Sequence, residues 1–145
     1  MQSKFEPKIG AVSSKQWSTL KGTDFPFSEH NYLNALEESS CVGEESGWLP
    51  CHLTLWEKKQ LQGAVCLYEK YNGYGEYIFD WGWANAYEKH GLNYYPKLVS
   101  AIPFTPATGL KLLVHPEADT SNVRKKLLEE ALLCMRSRNC SSVQF

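Results

Sequence analysis

The chain has 145 residues, enough for one domain that buries a core without disulfides or metals. Hydrophobic residues make up 43% and charged residues 21%, a globular composition rather than a disordered one. The net charge of -1 leaves no positive surplus to neutralise a phosphate backbone, so composition carries no nucleic-acid signal.

Met1 to Gly10 is polar and lacks the basic-then-apolar pattern of a secretory signal. No apolar run approaches membrane-spanning length, so no membrane segment is expected. The five cysteines (Cys41, Cys51, Cys66, Cys134 and Cys140) are odd in number and none pair at C-x-x-C spacing. They read as reduced thiols in a cytoplasmic protein, with Cys66 and Cys134 in the core. His30, His52, His90 and His115 are too scattered to suggest a metal site, and none is expected.

Ile9 to Val12 reads as a short first strand, and Trp17 to Leu20 as a helical turn. Ser28 is placed to cap a helix whose apolar face is Tyr32, Leu33 and Leu36. Leu49 to Trp56 alternates with period two, and Leu61 to Tyr68 follows a polar turn, so the pair reads as a hairpin. Asn72 to Gly75 marks another turn. Tyr77 to Trp83 is aromatic, with Asp80 inside it, and Trp83 to Lys89 reads as a helix ending at Gly91. Pro96 to Ala101 reads as a helical turn and Leu110 to Val114 as a buried strand. Asp119, Thr120 or Ser121 can cap the last helix, whose face is Val123, Leu127, Ala131 and Met135, widened by Leu128 and Leu132. Val143 and Phe145 restart a period-two pattern. A hairpin followed by strand, helix and strand predicts an α/β (α+β) domain, residues 1–145, with a mixed sheet flanked by helices. The Leu112 and Val143 strands are expected to pair in parallel.

The stretch from Asn72 to Leu113, NGYGEYIFDWGWANAYEKHGLNYYPKLVSAIPFTPATGLKLL, resembles the signature of a bacterial family. That family is described as peptidoglycan biosynthesis/recognition proteins, FemAB-like and of the GNAT superfamily. The likeness extends through PFSEHNYLNALEESSCVGEESGWLPCHL and covers roughly residues 10 to 145. It implies a GNAT-like sheet and an N-acyltransferase, with an acyl-coenzyme A or aminoacyl-tRNA donor for the longer protein. Family members are usually longer, so the chain is expected to be truncated: the N-terminal, acceptor half, inactive alone. Its open strand edge at Ser141 to Phe145 would then favour self-association. The alternative is a module that recognises a peptide or cell-wall precursor without chemistry.

One departure concerns the donor. Active GNAT domains cradle a pyrophosphate on a glycine-containing loop before the main helix. Here that loop is Val114 to Ser121, with Pro116, Glu117 and Asp119 and no glycine, so no cofactor is expected on this half.

Within the signature, Asp80 and His90 are the candidate catalytic pair. Glu76, Tyr77, Trp81, Trp83, Tyr87 and Tyr95 are candidate substrate-binding residues. Aromatic walls and carboxylates suit a small-molecule or peptide-like amine acceptor. Asp80, Tyr87 and His90 are expected to share one concavity with Trp81 or Trp83. Large aromatics also simply stiffen a loop-rich insert. Lys97 reads as a surface lysine, with anion binding as the alternative.

Overall fold

The computed structural model describes residues 1–145. One long bent hairpin organises the chain. Its first arm is β2 (Trp48–Pro50) running into β3 (His52–Glu57), and its second is β4 (Gln60–Val65) running into β5 (Tyr68–Lys70). The arms pair antiparallel at both ends, β3 with β4 and β2 with β5. Cys51 N–H donates to the Leu67 carbonyl at 2.9 Å, which carries the ladder across the bend. Each half recruits different neighbours. β1 (Gln2–Glu6) flanks β3, and β7 (Leu113–Val114) flanks β4, giving the order β1-β3-β4-β7. β6 (Lys97–Val99) flanks β5 and β8 (Val143–Gln144) flanks β6, giving β2-β5-β6-β8. The two four-stranded sheets therefore share the hairpin and part beyond it, between β7 and β6. Only β6 and β8 run parallel.

The first sheet is covered on both faces. On one side Leu53, Leu55, Val65 and Val114 pack against Val123, Leu127, Ala131 and Cys134 of α4 (Thr120–Ser137). On the other, Leu61, Ala64 and Leu113 meet Ile9, Val12, Trp17, Leu20 and Leu33. The latter come from the N-terminal segment, α1 (Ser14–Trp17) and α2 (His30–Glu38). Two covered faces explain why His52 to Leu55 are buried without a break although the sequence alternates. A bulge at Gln62 lets β4 serve both faces. Gly63 sits where α4 crosses, and a Cβ there would lie 2.5 Å from Val123 Cγ1 and 3.0 Å from the Leu113 carbonyl oxygen.

The mixed α/β architecture and the antiparallel hairpin agree with expectation; several details do not. The first strand is Gln2–Glu6, and Ile9–Ala11 is a 3-10 turn instead. Ser28 ends a short 3-10 turn led by Pro26, and its carbonyl accepts the Trp17 indole N–H, so Glu29 holds the N-cap position of α2. The Leu112 region pairs antiparallel with β4, while β8 takes β6 as its parallel partner. That strand β6 falls where a helical turn was expected. In α4 the buried row ends at Cys134, and Leu128 and Leu132 face solvent, 39% and 44% exposed. Asp119 caps α4 as expected, accepting from Asn122 N–H at 3.1 Å. No helix is long and apolar enough to cross a membrane.

Candidate functional site

Residues 71–96 form an excursion between β5 and β6. It leaves and re-enters the sheet at directly paired positions, Lys70 opposite Lys97. Both lysines are fully buried, which is costly unless each finds partners. The excursion supplies them. Lys70 Nζ donates to the Tyr74 carbonyl at 2.7 Å and to Asn72 Oδ1 at 3.2 Å, and lies 4.2 Å from the Trp48 ring centroid. Burial drives the Lys70 amine down to about 8. The Trp48 indole N–H donates to the same Tyr74 carbonyl, and Asn72 Oδ1 also accepts from Tyr74 N–H. Gly75 follows at φ +78 and accepts from Phe104 N–H; a Cβ there would meet Phe104 at 2.5 Å, so only glycine fits this turn.

The pinned turn delivers Glu76, and the chain then reaches Asp80 at the head of α3 (Trp81–Lys89). Lys97 Nζ donates to Glu76 Oε2 at 2.7 Å, Asp80 Oδ2 at 2.5 Å and Gln144 Oε1 at 3.0 Å. The Tyr94 hydroxyl and Gln144 Nε2 also donate to Asp80 Oδ2, at 2.5 and 3.2 Å. Burial pushes the Asp80 carboxyl up. The hydrogen bonds from Lys97, Tyr94 and Gln144, with the Lys97 charge, outweigh it and hold the group below its usual value. The Tyr94 hydroxyl is driven far above its ordinary range by burial and by its bond to Asp80. All three donors use Oδ2, so Asp80 Oδ1 receives none of these bonds. Glu76 Oε1 is buried without a partner.

This polar cluster forms one wall of a cavity of about 330 Å³, at the place where the two sheets part. Glu76, Tyr77, Asp80 and Gln144 line it together with Ser100, Thr105, Thr108 and Lys111 from the β6–β7 connection, and Ser100 N–H donates to the Gln144 carbonyl at 2.8 Å. A larger depression, about 530 Å³, is walled by the single stretch Ser18–Asp24 and gathers no comparable cluster.

Of the residues singled out from sequence, Glu76, Tyr77 and Asp80 come together at this cavity. His90 does not. It sits at the C-terminal end of α3 while Asp80 heads the N-terminal end, a separation of about 15 Å along a helix rising 1.5 Å per residue. Its Nδ1 bonds the Ala86 carbonyl at 2.7 Å, and the ring is exposed. The expected single concavity holding Asp80, Tyr87 and His90 is therefore corrected. Trp81 and Trp83 point to solvent, 58% and 67% exposed. Tyr87 and Tyr95 instead pack edge-on against Tyr94, with ring centroids 5.2 and 5.0 Å away, and so brace the network from outside. Lys97 is no surface lysine but the centre of the cluster. Gln144 and Lys111 were given no role from sequence. Gln144 alternates with Val143 and Phe145, so period two already places it on the opposite face from them.

A search of curated proteins finds no match for the chain. Among solved structures, the apo aminoglycoside antibiotic 6'-N-acetyltransferase AAC(6')-IG from Acinetobacter haemolyticus is similar in fold. The TM-score is 0.50 at 16% identity, over 99% of this chain and 77% of that one. The mixed sheet with its shared hairpin is thus a GNAT-like architecture. Residues 8–145 match the FemAB-like family model described as peptidoglycan biosynthesis/recognition, and the chain belongs to that family.

Proposed function

We propose that the cavity between the parted sheets holds the amine acceptor of an N-acyl transfer. The observation that carries this reading is the pair of carboxylates, Glu76 and Asp80, clamped by one buried lysine on the wall of a cavity in an acetyltransferase-like fold. An uncharged amine that attacks an acyl carbonyl forms a new N–C bond as the carbon's bond to the donor's sulfur or ribose oxygen breaks. The proton shed by the transiently cationic nitrogen goes to that departing thiolate or alkoxide. A carboxylate held low stays ionised throughout, so Asp80 steadies the nitrogen's charge through Oδ1 rather than storing the proton. Lys97, Tyr94 and Gln144 fix the carboxylate so that no reorganisation is needed during attack.

The acyl donor, whether acyl-coenzyme A or aminoacyl-tRNA, docks away from the start of α4. Asp119 already fills the cap of that helix with a negative charge, and Pro116 offers no N–H to a phosphate. The same observation favours a second reading, recognition of an amine-bearing precursor without turnover.

Isothermal titration with n-pentylamine, a single ammonium, tests the site. Asp80→Asn, which keeps the size of the side chain, is expected to weaken binding about tenfold, the scale of one charge-assisted hydrogen bond. Equal binding by wild type and variant would refute the acceptor site. Thiol release from acetyl-coenzyme A in the presence of the amine separates the readings: turnover supports transfer, and binding with no turnover supports recognition.

A further inference from the structure

We infer that the cavity selects a small amphoteric ligand, one carrying both a primary ammonium group and a carboxylate, and rejects polycations. This deepens the acceptor reading and rests on it.

The argument is one of unsatisfied charged groups lining one cavity. Glu76 and Asp80 share Lys97, and Lys70 lies near Glu76, so the cluster is balanced in charge but not in hydrogen bonds. Asp80 Oδ1 is the oxygen that Lys97, Tyr94 and Gln144 all leave free, backed by the unpartnered Glu76 Oε1. A cation is the natural occupant there. Lys111 also lines the cavity, half-buried, and takes part in none of the chain's ion pairs. Burial holds its amine below the usual lysine value, opposed only by the Cys66 thiol, with which it lines a small neighbouring cavity. A half-buried ammonium without a counterion is expensive, and an anion supplied from outside relieves it. Ser100, Thr105 and Thr108 also line the cavity and carry hydroxyls, donors suited to a carboxylate. The cavity thus offers both a free carboxylate oxygen, Asp80 Oδ1, and an unpaired cation, Lys111.

Size limits the ligand. At about 330 Å³ the cavity lies at the lower end of the range of small-molecule sites, which favours a small occupant. An ω-amino acid of four to six carbons fits that description. A polycation would set one ammonium on Asp80 and bring the others toward Lys111, where like charges repel. The cavity therefore differs in kind from a site built for a polyamine.

Calorimetric titration of the whole chain with three matched probes tests this: 5-aminopentanoate, n-pentylamine and kanamycin. The expected result is 5-aminopentanoate binding at least tenfold tighter than n-pentylamine, and kanamycin weakest. Lys111→Met should bring the two matched ligands to within about threefold of each other, while Lys111→Arg keeps the preference; tenfold corresponds to ~1.4 kcal/mol. Melting curves establish that both variants fold. Equal binding of the two matched ligands, or a preference unchanged in Lys111→Met, overturns the amphoteric inference while the acceptor site survives through its Asp80 dependence. Binding of none of the three overturns both. Kanamycin binding tightest also refutes the inference, leaving a cation site without an anion partner.

Discussion

Replacing Lys97 with methionine removes one charge and little volume from the middle of the candidate site. In the native chain its ammonium touches Glu76, Asp80 and Gln144 and is wholly shielded from water. The variant leaves two carboxylates facing each other with only Tyr94 and Gln144 to hold them. Breaking a buried ion pair by removing one partner costs about 3–5 kcal/mol. A chain of 145 residues unfolds with an entropy of about 0.3 kcal/mol/K, so the melting temperature should fall by about 10–16 °C. The deficit carries a pH signature. In the variant, the Asp80 carboxyl loses its main support and rises above its unfolded value, so the folded state binds more protons than the unfolded state. Stability then falls as pH rises, and the deficit against wild type should be smaller at pH 5 than at pH 8. Wild-type Asp80, held low, contributes no such slope in that window; its contribution is lost only in stronger acid, as pH falls through the depressed value. Adding Asp80→Asn to Lys97→Met should recover part of the loss, because one orphaned charge is gone. Thermal melts by circular dichroism at pH 5, 6, 7 and 8 provide the measurement. A fall below about 3 °C at pH 7, or a deficit that does not change with pH, would refute the reasoning.

Three further outcomes are expected. Gly63→Ala should destabilise by about 1–3 kcal/mol in urea unfolding, because the added methyl meets α4 and the Leu113 backbone at once; an unchanged midpoint would mean the helix shifts freely. Wild type should gain on Lys70→Met as pH rises from about 8 to 10.5. Across that window the unfolded chain keeps the Lys70 proton that the folded chain has released, at up to about 1.4 kcal/mol per pH unit; a difference flat from pH 8 to 10 sinks the idea. Brief treatment of the native protein with N-ethylmaleimide should add one adduct, at exposed Cys41, because burial pushes the Cys51 and Cys66 thiols up to about 12 and Cys140 up to about 11; intact-mass measurement showing two or more would contradict it.

The elements that sequence revealed best are those whose pattern is local. The β3–β4 hairpin alternates and has a polar turn, and α4 has an Asp cap and a four-residue apolar spacing, so both were legible. The sheet was read less well because its parting is not a local property. Nothing in the residues Lys97–Val99 alone says that they pair with Tyr68–Lys70 and with β8; their short apolar core after a proline also fits a helical turn. The site divides along the same line. Glu76 and Asp80 stood out as acids among aromatics, where burial without purpose is costly. Lys97 was hidden by base rates, since an isolated lysine is nearly always exposed. His90 was chosen on helical spacing from Tyr87, but a helix of nine residues separates its ends by more than a side chain can bridge. Lys111 and Gln144 come from elements brought to the cavity by the tertiary fold alone, and only Gln144 left a trace in the alternation of its strand.

The direct pairing of Lys70 with Lys97 has a consequence for how the excursion 71–96 can change. In outline it is a hairpin loop, and loops closed on paired strand residues normally tolerate replacement by a short turn. Here the two closing residues are like charges buried side by side, and every group that neutralises or accepts from them, apart from Gln144, lies in the loop itself or is held there by Trp48. Excising the loop would strand two cations inside the second sheet. Altering its acids would require the strand lysines to change at the same time. The composition of the excursion and the cohesion of the sheet are thus inherited together, and a drift in one must be matched by a compensating step in the other.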